Sequence, residues 1–432
     1  MLIRFRVQNH RSIRDQQELS LVASSLKDMP EGLIETPGFD HGLLRVAALY
    51  GANASGKTNV LKAIAYMSRA VNSSQRNWKP GGPIPRDPFL LDEESRTGPS
   101  TFEVDVLVEG VRYEYGFSLN SERILEEWLY AYPSGKRQTW FTRVGAPERN
   151  FKFGKNLPGD NRAIEALTRD NSLFLSAAAQ NNHAALLPIY NWFSTSFSFV
   201  TGDRGPLQFD TAAMCVDEGH RRAVMQLLTA ADLGVVGLDV REVDVFDTTE
   251  VPEGAKKFME AVKAAFATLP DMHFTGKTHK ICLRHKSQIE EGVQFSTENE
   301  SDGTVAFFGL LGPVVRALEA GGTVCIDELD ASLHPLLAIE VVRLFNNPKR
   351  NPRGAQLIFT THDTNLLDSS LLRRDQIWFT EKDSAGSTHL YPLSDFKPRK
   401  NENLGRGYLQ GRYGAVPFVG STDILKSQEH DA

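Results

Sequence analysis

Gly51-Ala-Asn-Ala-Ser-Gly56-Lys57-Thr58 fits one pattern: a glycine, four residues, then Gly-Lys-Thr. That is the pattern of a phosphate-binding loop. The residues before it, Leu44-Arg-Val-Ala-Ala-Leu-Tyr50, read as a buried strand, and Asn59 to Ala70 read as a helix with Leu61, Ile64 and Ala65 on one face. Glycine at 51 and 56 lets the backbone curl so that successive N–H groups point at one anion. The helix start adds partial positive charge. Candidate phosphate contacts are therefore Asn53, Ala54, Ser55, Gly56, Lys57, Thr58 and Asn59. Lys57 supplies a full charge for the β- and γ-phosphates, and the Thr58 hydroxyl is a Mg²⁺ ligand.

The bulk numbers bound the rest. A chain of 432 residues has room for two or three domains with their own cores. A net charge of −6 excludes a uniformly basic nucleic-acid coat but leaves room for a local patch. Cys215, Cys282 and Cys325 form no CxxC pair and no disulfide framework, which fits a reducing cytoplasm. No run of about 18 apolar residues appears, so no membrane span is expected. Met1-Leu-Ile-Arg-Phe-Arg-Val7 alternates like a strand rather than a signal peptide.

Leu2–Val7 and Gln17–Val22 read as strands and residues 25–43 as loop. The phosphate-loop helix is expected to end near Asn72. Residues 78–100, rich in Pro and Gly, read as a mobile linker or flap. Segments 101–108 and 111–117 flank Glu109-Gly110 as a hairpin, and 124–132 and 138–144 extend the same antiparallel sheet. Residues 161–193 read as helical, 217–233 and 253–268 as amphipathic helices (the second with Phe258, Val262 and Phe266), and 235–246 as a strand. The expected organisation is 1–160, a first lobe with the phosphate loop and antiparallel sheet; 161–275, a mainly helical insertion; and 276–432, a second lobe.

Thr323-Val-Cys-Ile-Asp327-Glu328 is a short apolar strand ending in two acids. Acids at the carboxyl end of a buried parallel strand sit where α/β sheets bind ligands. Asp327 is a candidate for the Mg²⁺ shell opposite Thr58, and Glu328 for polarising an attacking water. Pro335 suits the first turn of a helix running to about Phe345. Ala355-Gln-Leu-Ile-Phe-Thr-Thr361 is another buried strand, ending at His362, which is placed to reach a γ-phosphate or the water. Ser301 and Gly303 open an apolar helix, Val305–Leu318, and form either an anion cradle or an ordinary cap.

Taken in order, these motifs resemble the ATP-binding-cassette class of P-loop ATPase, in its SMC/RecF-like branch. Gly51–Thr58 resembles Walker A, Thr323–Glu328 Walker B, Leu329-Asp330 the D-loop, His362 the switch histidine, and Ser301-Asp-Gly303 a degenerate signature. Phe5-Arg-Val-Gln-Asn-His-Arg11-Ser12 resembles the opening strand of that branch, where an arginine lies near the nucleotide. The Asp-Glu-Leu-Asp…Leu-His-Pro run and the tail Tyr408–Pro417 resemble the SMC-like ATPases of bacterial defence operons (RloA/AbiL-like). The resemblance implies an α/β P-loop ATPase head with an antiparallel β subdomain and a mainly helical insertion. It implies ATP and Mg²⁺ as ligands, with Glu328, His362 and Lys57 as catalytic groups and Arg11 beside the nucleotide. Gln180 is the glutamine-loop candidate, near the metal with Thr58 and Asp327. It also implies a homodimer or higher homo-oligomer in which Ser301 of one subunit closes on the ATP held by Lys57 of the other.

Four functions follow from this set. The first is a cytoplasmic ATPase that dimerises around ATP and regulates a separate effector, a nuclease encoded in the same operon, in anti-phage defence. The 70 residues after His362 (432 − 362) are too few for the TOPRIM nuclease domain of the related overcoming-lysogenization-defect proteins. The second is a RecF-like repair ATPase binding DNA through Lys349-Arg-Asn-Pro-Arg353, Arg373-Arg374 and Lys397-Pro-Arg-Lys400. A transporter subunit fits poorly, because Thr58 and Ser301 are 243 residues apart (301 − 58). A non-hydrolysing scaffold conflicts with Glu328.

Overall fold

Strand β5 (Val46–Gly51) is buried along its whole length. Val46, Ala48 and Tyr50 face one core with Phe307 and Phe359, while Ala47 and Leu49 face another with Val60 and Ile64. A strand covered on both faces reads as an unbroken apolar run, which is why its sequence shows no alternation. The computed structural model describes residues 1–145, 149–201, 204, 206–244, 256, 277–287, 292–400 and 402–417.

β5 lies inside a six-stranded sheet of order β11 (Phe197–Val200), β15 (Thr323–Ile326), β16 (Gln356–Thr360), β5, β17 (Ile377–Lys382) and β18 (Thr388–Pro392). The first five are parallel, and β18 returns antiparallel at one edge. The strands meant to carry the phosphate loop and the twin acids are thus separated by a single strand, β16.

The phosphate-loop helix runs from Lys57 to Asn77, five residues beyond the end expected from sequence. Its extra turn is held from a distance. The Arg169 guanidinium donates to the carbonyls of Ser74 (2.9 Å), Gln75 (3.0 Å) and Trp78 (3.1 Å), satisfying groups that a helix end otherwise leaves open.

A seven-stranded antiparallel sheet covers the other side of this helix. Its order is β10 (Asn150–Phe153), β9 (Gln138–Val144), β8 (Ile124–Tyr132), β7 (Val111–Leu119), β6 (Ser100–Val108), β1 (Leu2–Gln8) and β2 (Gln17–Ser20). Phe5, Phe102, Phe117 and Leu129 pack with Ile64 and Met67 of the helix. Glu109 (φ 50°) and Gly110 (φ 78°) make the tight turn, as a two-residue hairpin with both central φ positive requires. A small ladder, β3 (Leu33–Ile34) with β4 (Leu43–Leu44), lies in the 25–43 loop.

Residues 78–100 are not a loose linker. Ile84 and Phe89 are buried, Glu93–Thr97 is a short helix, and Asn9 accepts from Phe89 N–H (2.9 Å) while donating to the Ser95 carbonyl (2.7 Å). The stretch 161–193 forms three helices, Asn161–Leu167, Phe174–Gln180 and Leu187–Thr195. β12 (Val235–Asp244), β13 (Lys277–His285) and β14 (Val293–Ser296) form a third, separate sheet. The helix expected at 253–268 lies, apart from Lys256, outside the described residues.

The helix Asp302–Ala320 is long and apolar enough to cross a membrane by length and composition alone. Here it is a core helix, with Phe307, Phe308, Leu310 and Leu311 buried. Its start lies three residues before the expected Val305 because the Ser301 hydroxyl accepts from Thr304 N–H (3.1 Å), an N-cap.

Candidate functional site

The loop after β5 closes on itself as the glycines require. Gly56 has φ 112°, a region costly for other residues. A Cβ on Gly51 would come within 2.5 Å of Ser55 Oγ and the Thr380 carbonyl, and one on Gly56 would collide with Thr388. Asn53 and Ala54 are exposed at the tip, and Ala54 takes a positive φ of 61° without being glycine. Such strain in a loop tip is a mark of function when the surroundings enforce it.

Lys57 lies under the loop, 6% exposed, and its ammonium donates to the carbonyls of Gly51 (2.8 Å) and Ala52 (3.1 Å). Among the described residues no carboxylate lies within ion-pair distance of it. Burial lowers its pKa to about 8, against the pull of Asp327, Glu328 and Asp330.

Thr58 and Asp327, 269 positions apart, meet: the Thr58 hydroxyl donates to Asp327 Oδ1 at 3.0 Å. The intervening strand positions both acids through one side chain. Thr360 Oγ1, at the end of β16, donates to Asp327 Oδ1 (2.7 Å) and accepts from Glu328 N–H (2.7 Å). Glu328 has φ 52°, sparsely allowed for its type. Hydrogen bonds hold that turn. They include the bond to Thr360 Oγ1, Leu329 N–H to the Thr360 carbonyl (2.9 Å), and Arg204 to the carbonyls of Glu328 (2.5 Å), Leu329 (3.3 Å) and Ala331 (2.8 Å). The Glu328 side chain is exposed and points free of any hydrogen-bond partner among the described residues.

His362 is exposed and follows β16. Its backbone N–H donates weakly to Asp330 (3.4 Å), and its pKa is lowered by partial desolvation of the ring and by the charge of Lys57. Arg11 takes φ 53° and is pinned to the 78–100 segment by its N–H to the Asp87 carbonyl (2.7 Å) and its guanidinium to the Asp87 carboxylate (2.6 Å). Arg11, Thr58 and Asp327 line one cavity of about 440 Å³. Asn59 donates to Ser12 Oγ (2.7 Å), which bonds Thr388 Oγ1 (2.8 Å), which donates to the Ser55 carbonyl (2.9 Å). This chain of hydroxyls braces the loop from behind.

The structure thus brings Arg11, Asn53, Ala54, Ser55, Gly56, Lys57, Thr58, Asn59, Asp327, Glu328 and His362 to the carboxyl ends of the parallel strands. It does not bring Ser301, Gly303 or Gln180 there. Ser301 is exposed, Gly303 packs toward the Ser332 carbonyl, and no hydrogen bond joins either to the phosphate loop among the described residues. Gln180 is exposed at the end of a helix anchored at Ser74 and Gln75. Those anchors are 17 residues past Thr58 (75 − 58), roughly 25 Å along the helix. Of the DNA-contact candidates, Arg373 is buried against Asp375 and Arg374 is paired with Asp28, so neither presents a free charge. Thr360, Thr388 and Arg204 support the site and have no local sequence signal.

The donor set fits a magnesium nucleotide. It holds a tight glycine-bounded loop at a helix start, one buried cation resting on carbonyls, and a hydroxyl beside one carboxylate, the sparse protein ligation magnesium prefers. A family model described as "AAA domain, putative AbiEii toxin, Type IV TA system" matches residues 46–368. No curated protein matches the chain. Among solved structures it is similar to an SMC head domain from Thermotoga maritima, at 13% identity and TM-score 0.41, over 90% of this chain and 98% of that one. It is also similar to an SmcHead bound to the C-winged helix domain of ScpA, at 13% identity and TM-score 0.42, over 90% and 96%.

Proposed function

The chain belongs to this AAA-domain family, and from that premise we propose that it is a cytoplasmic ATPase that dimerises around ATP and regulates a separate effector in bacterial defence. The observation that carries the reading is the 3.0 Å bond between Thr58 and Asp327, made across 269 positions next to a Lys57 that no carboxylate pairs with among the described residues. In this reading the loop amides from Asn53 to Asn59 and the Lys57 ammonium bind the phosphates. Thr58 and Asp327 hold magnesium, which when bound neutralises charge on the β- and γ-phosphates. Glu328, on its strained turn, orients and polarises the attacking water. His362 sits on the neighbouring strand end, where a lowered pKa favours the neutral ring. Arg11 must leave Asp87 to touch nucleotide.

Ser301 stands exposed at a helix start with half-buried Gly303 beside it, and neither is hydrogen-bonded to its own loop among the described residues, which supports a role on the ATP of a second copy. ATP then bridges two subunits that each supply part of the binding surface, and hydrolysis removes that bias toward the closed pair. Residues 1–160 carry the phosphate loop, 276–432 the acids and histidine, and 161–275 an interaction surface. The family's description as an AbiEii-like toxin of a type IV toxin–antitoxin system supports the defence setting, with the effector a nuclease from the same operon.

Glu328→Gln tests the chemistry. Phosphate release should fall roughly 10²–10⁴-fold, the range for losing a general base, with ATP still bound and the native mass doubled. Wild-type protein that binds no ATP, or a variant hydrolysing at the wild-type rate, overturns the reading.

A further inference from the structure

We propose that the open edge of the parallel sheet at β11, with the cation-rimmed cavity beside it, docks an extended acidic peptide segment of a partner protein. Among the described residues β11 pairs with β15 alone. The carbonyls of Ser196 and Val200 accept from Thr323 N–H (2.6 Å) and Asp327 N–H (2.8 Å). In a parallel ladder this turns Ser196, Ser198 and Val200 toward β15 and leaves the amides and carbonyls of Phe197 and Phe199 facing outward. Such an edge is a template for one more strand.

Beside that edge lies the 440 Å³ cavity, between β11 and the phosphate-loop helix, with Phe197, Phe199 and Cys325 in its walls. One end is at Thr58 and Asp327 and the other reaches Asn72, 14 residues on (72 − 58), roughly 21 Å along the helix. A triphosphate held at Lys57 leaves most of that length free. Lys62 and Arg69 stand on its rim, both exposed. They are two helical turns apart on one face, and no carboxylate pairs with either among the described residues. Arg11, the third cation in the wall, already pairs with Asp87, and among the described residues Asp327 is the one acid in the lining. The complement is a strand with an aromatic side chain between two acids on one face. Residues i and i+4 of such a strand are about 13 Å apart, against about 10.5 Å between Lys62 and Arg69.

Binding there would press on the nucleotide site, because the Val200 carbonyl holds Asp327 N–H. That coupling rests on the ATPase reading; the binding itself does not. The probe is a fluorescent peptide, acetyl-Thr-Glu-Thr-Phe-Thr-Glu-Thr-amide, titrated by anisotropy into the full chain without nucleotide. Measurable binding is expected, with K62E/R69E weakening it about tenfold or more, since two attractions become repulsions. The Lys-for-Glu peptide should show the reverse preference, binding the charge-swapped chain better than the wild type. Hydrogen exchange should slow at the Phe197 and Phe199 amides. No binding up to millimolar peptide, equal affinity of both peptides for both chains, or unprotected Phe197 and Phe199 amides overturns the proposal. None of these results depends on whether the chain hydrolyses ATP.

Discussion

Two buried cations in this molecule are treated in opposite ways. Arg143, 1% exposed, donates to the carbonyls of Ser172 (2.6 Å), Arg169 and Asp170 (both 3.1 Å) and lies 3.6 Å from Glu127. Glu127 is fully buried and also accepts from the Tyr115 hydroxyl (3.0 Å) and the N–H groups of Phe174 (2.7 Å) and Leu175 (3.0 Å). Burial pushes the Glu127 carboxyl up and the Arg143 guanidinium down, and each opposes the other's shift. Among the described residues Lys57 has two carbonyls and no anion within ion-pair distance. A buried charge with its anion beside it ties a helix start to a sheet; one that rests on carbonyls alone can pass its charge to a phosphate.

The sharpest way to break this contrast is Glu127→Ala. Leaving Arg143 buried without its anion should cost about 3–5 kcal/mol of stability, read by denaturant unfolding, while the folded fraction keeps wild-type ATP affinity. A loss below about 1 kcal/mol would deny the pair its structural role. Lys57→Ala should behave in reverse. ATP affinity should drop roughly 100-fold, two charge-assisted hydrogen bonds' worth, with the melting temperature unchanged or raised, because a desolvated charge has gone.

The pH dependence sharpens the same point. Lys57 has a folded pKa near 8, below its ordinary 10.5. Between those values the unfolded chain binds more protons, so this residue's contribution to stability rises with pH across that window. Phosphate favours the charged form, so ATP affinity should fall above pH 8, roughly tenfold per unit. Calorimetry in buffers of different ionisation heat should register proton uptake on binding. Affinity flat from pH 7 to 9.5 would contradict it. Smallest is Thr388→Val, which removes the hydroxyl between Ser12 and the Ser55 carbonyl. It should weaken ATP by about 1 kcal/mol without unfolding the protein; an effect as large as that of Lys57→Ala would mean the brace is part of the binding surface.

What sequence could show was local. The phosphate loop, the acids after β15 and the Ser301 cap are short segments whose residue types state their geometry. Thr360, which holds both acids, is legible only once β16 is known to lie between β15 and β5. Arg204 and Thr388 reach the site from other elements, with no spacing rule to reveal them. β11 escaped notice because four residues after a helical stretch carry too little periodicity to separate strand from helix. Conversely, Gln180 matched a local pattern, yet its helix packs at the far end of the phosphate-loop helix, a fact fixed by Ser74, Gln75 and Glu127 rather than by its neighbours in sequence.

The central claim is that Lys57 surrenders its two carbonyls to phosphate while Thr58 and Asp327 close on one metal. It is tested most directly by a crystal structure of the Glu328→Gln protein with ATP and magnesium. The expected result has the Lys57 ammonium moved off Gly51 and Ala52 onto the phosphates, with magnesium about 2.1 Å from the Thr58 hydroxyl. Nucleotide bound elsewhere, with Lys57 still resting on those carbonyls, would contradict it.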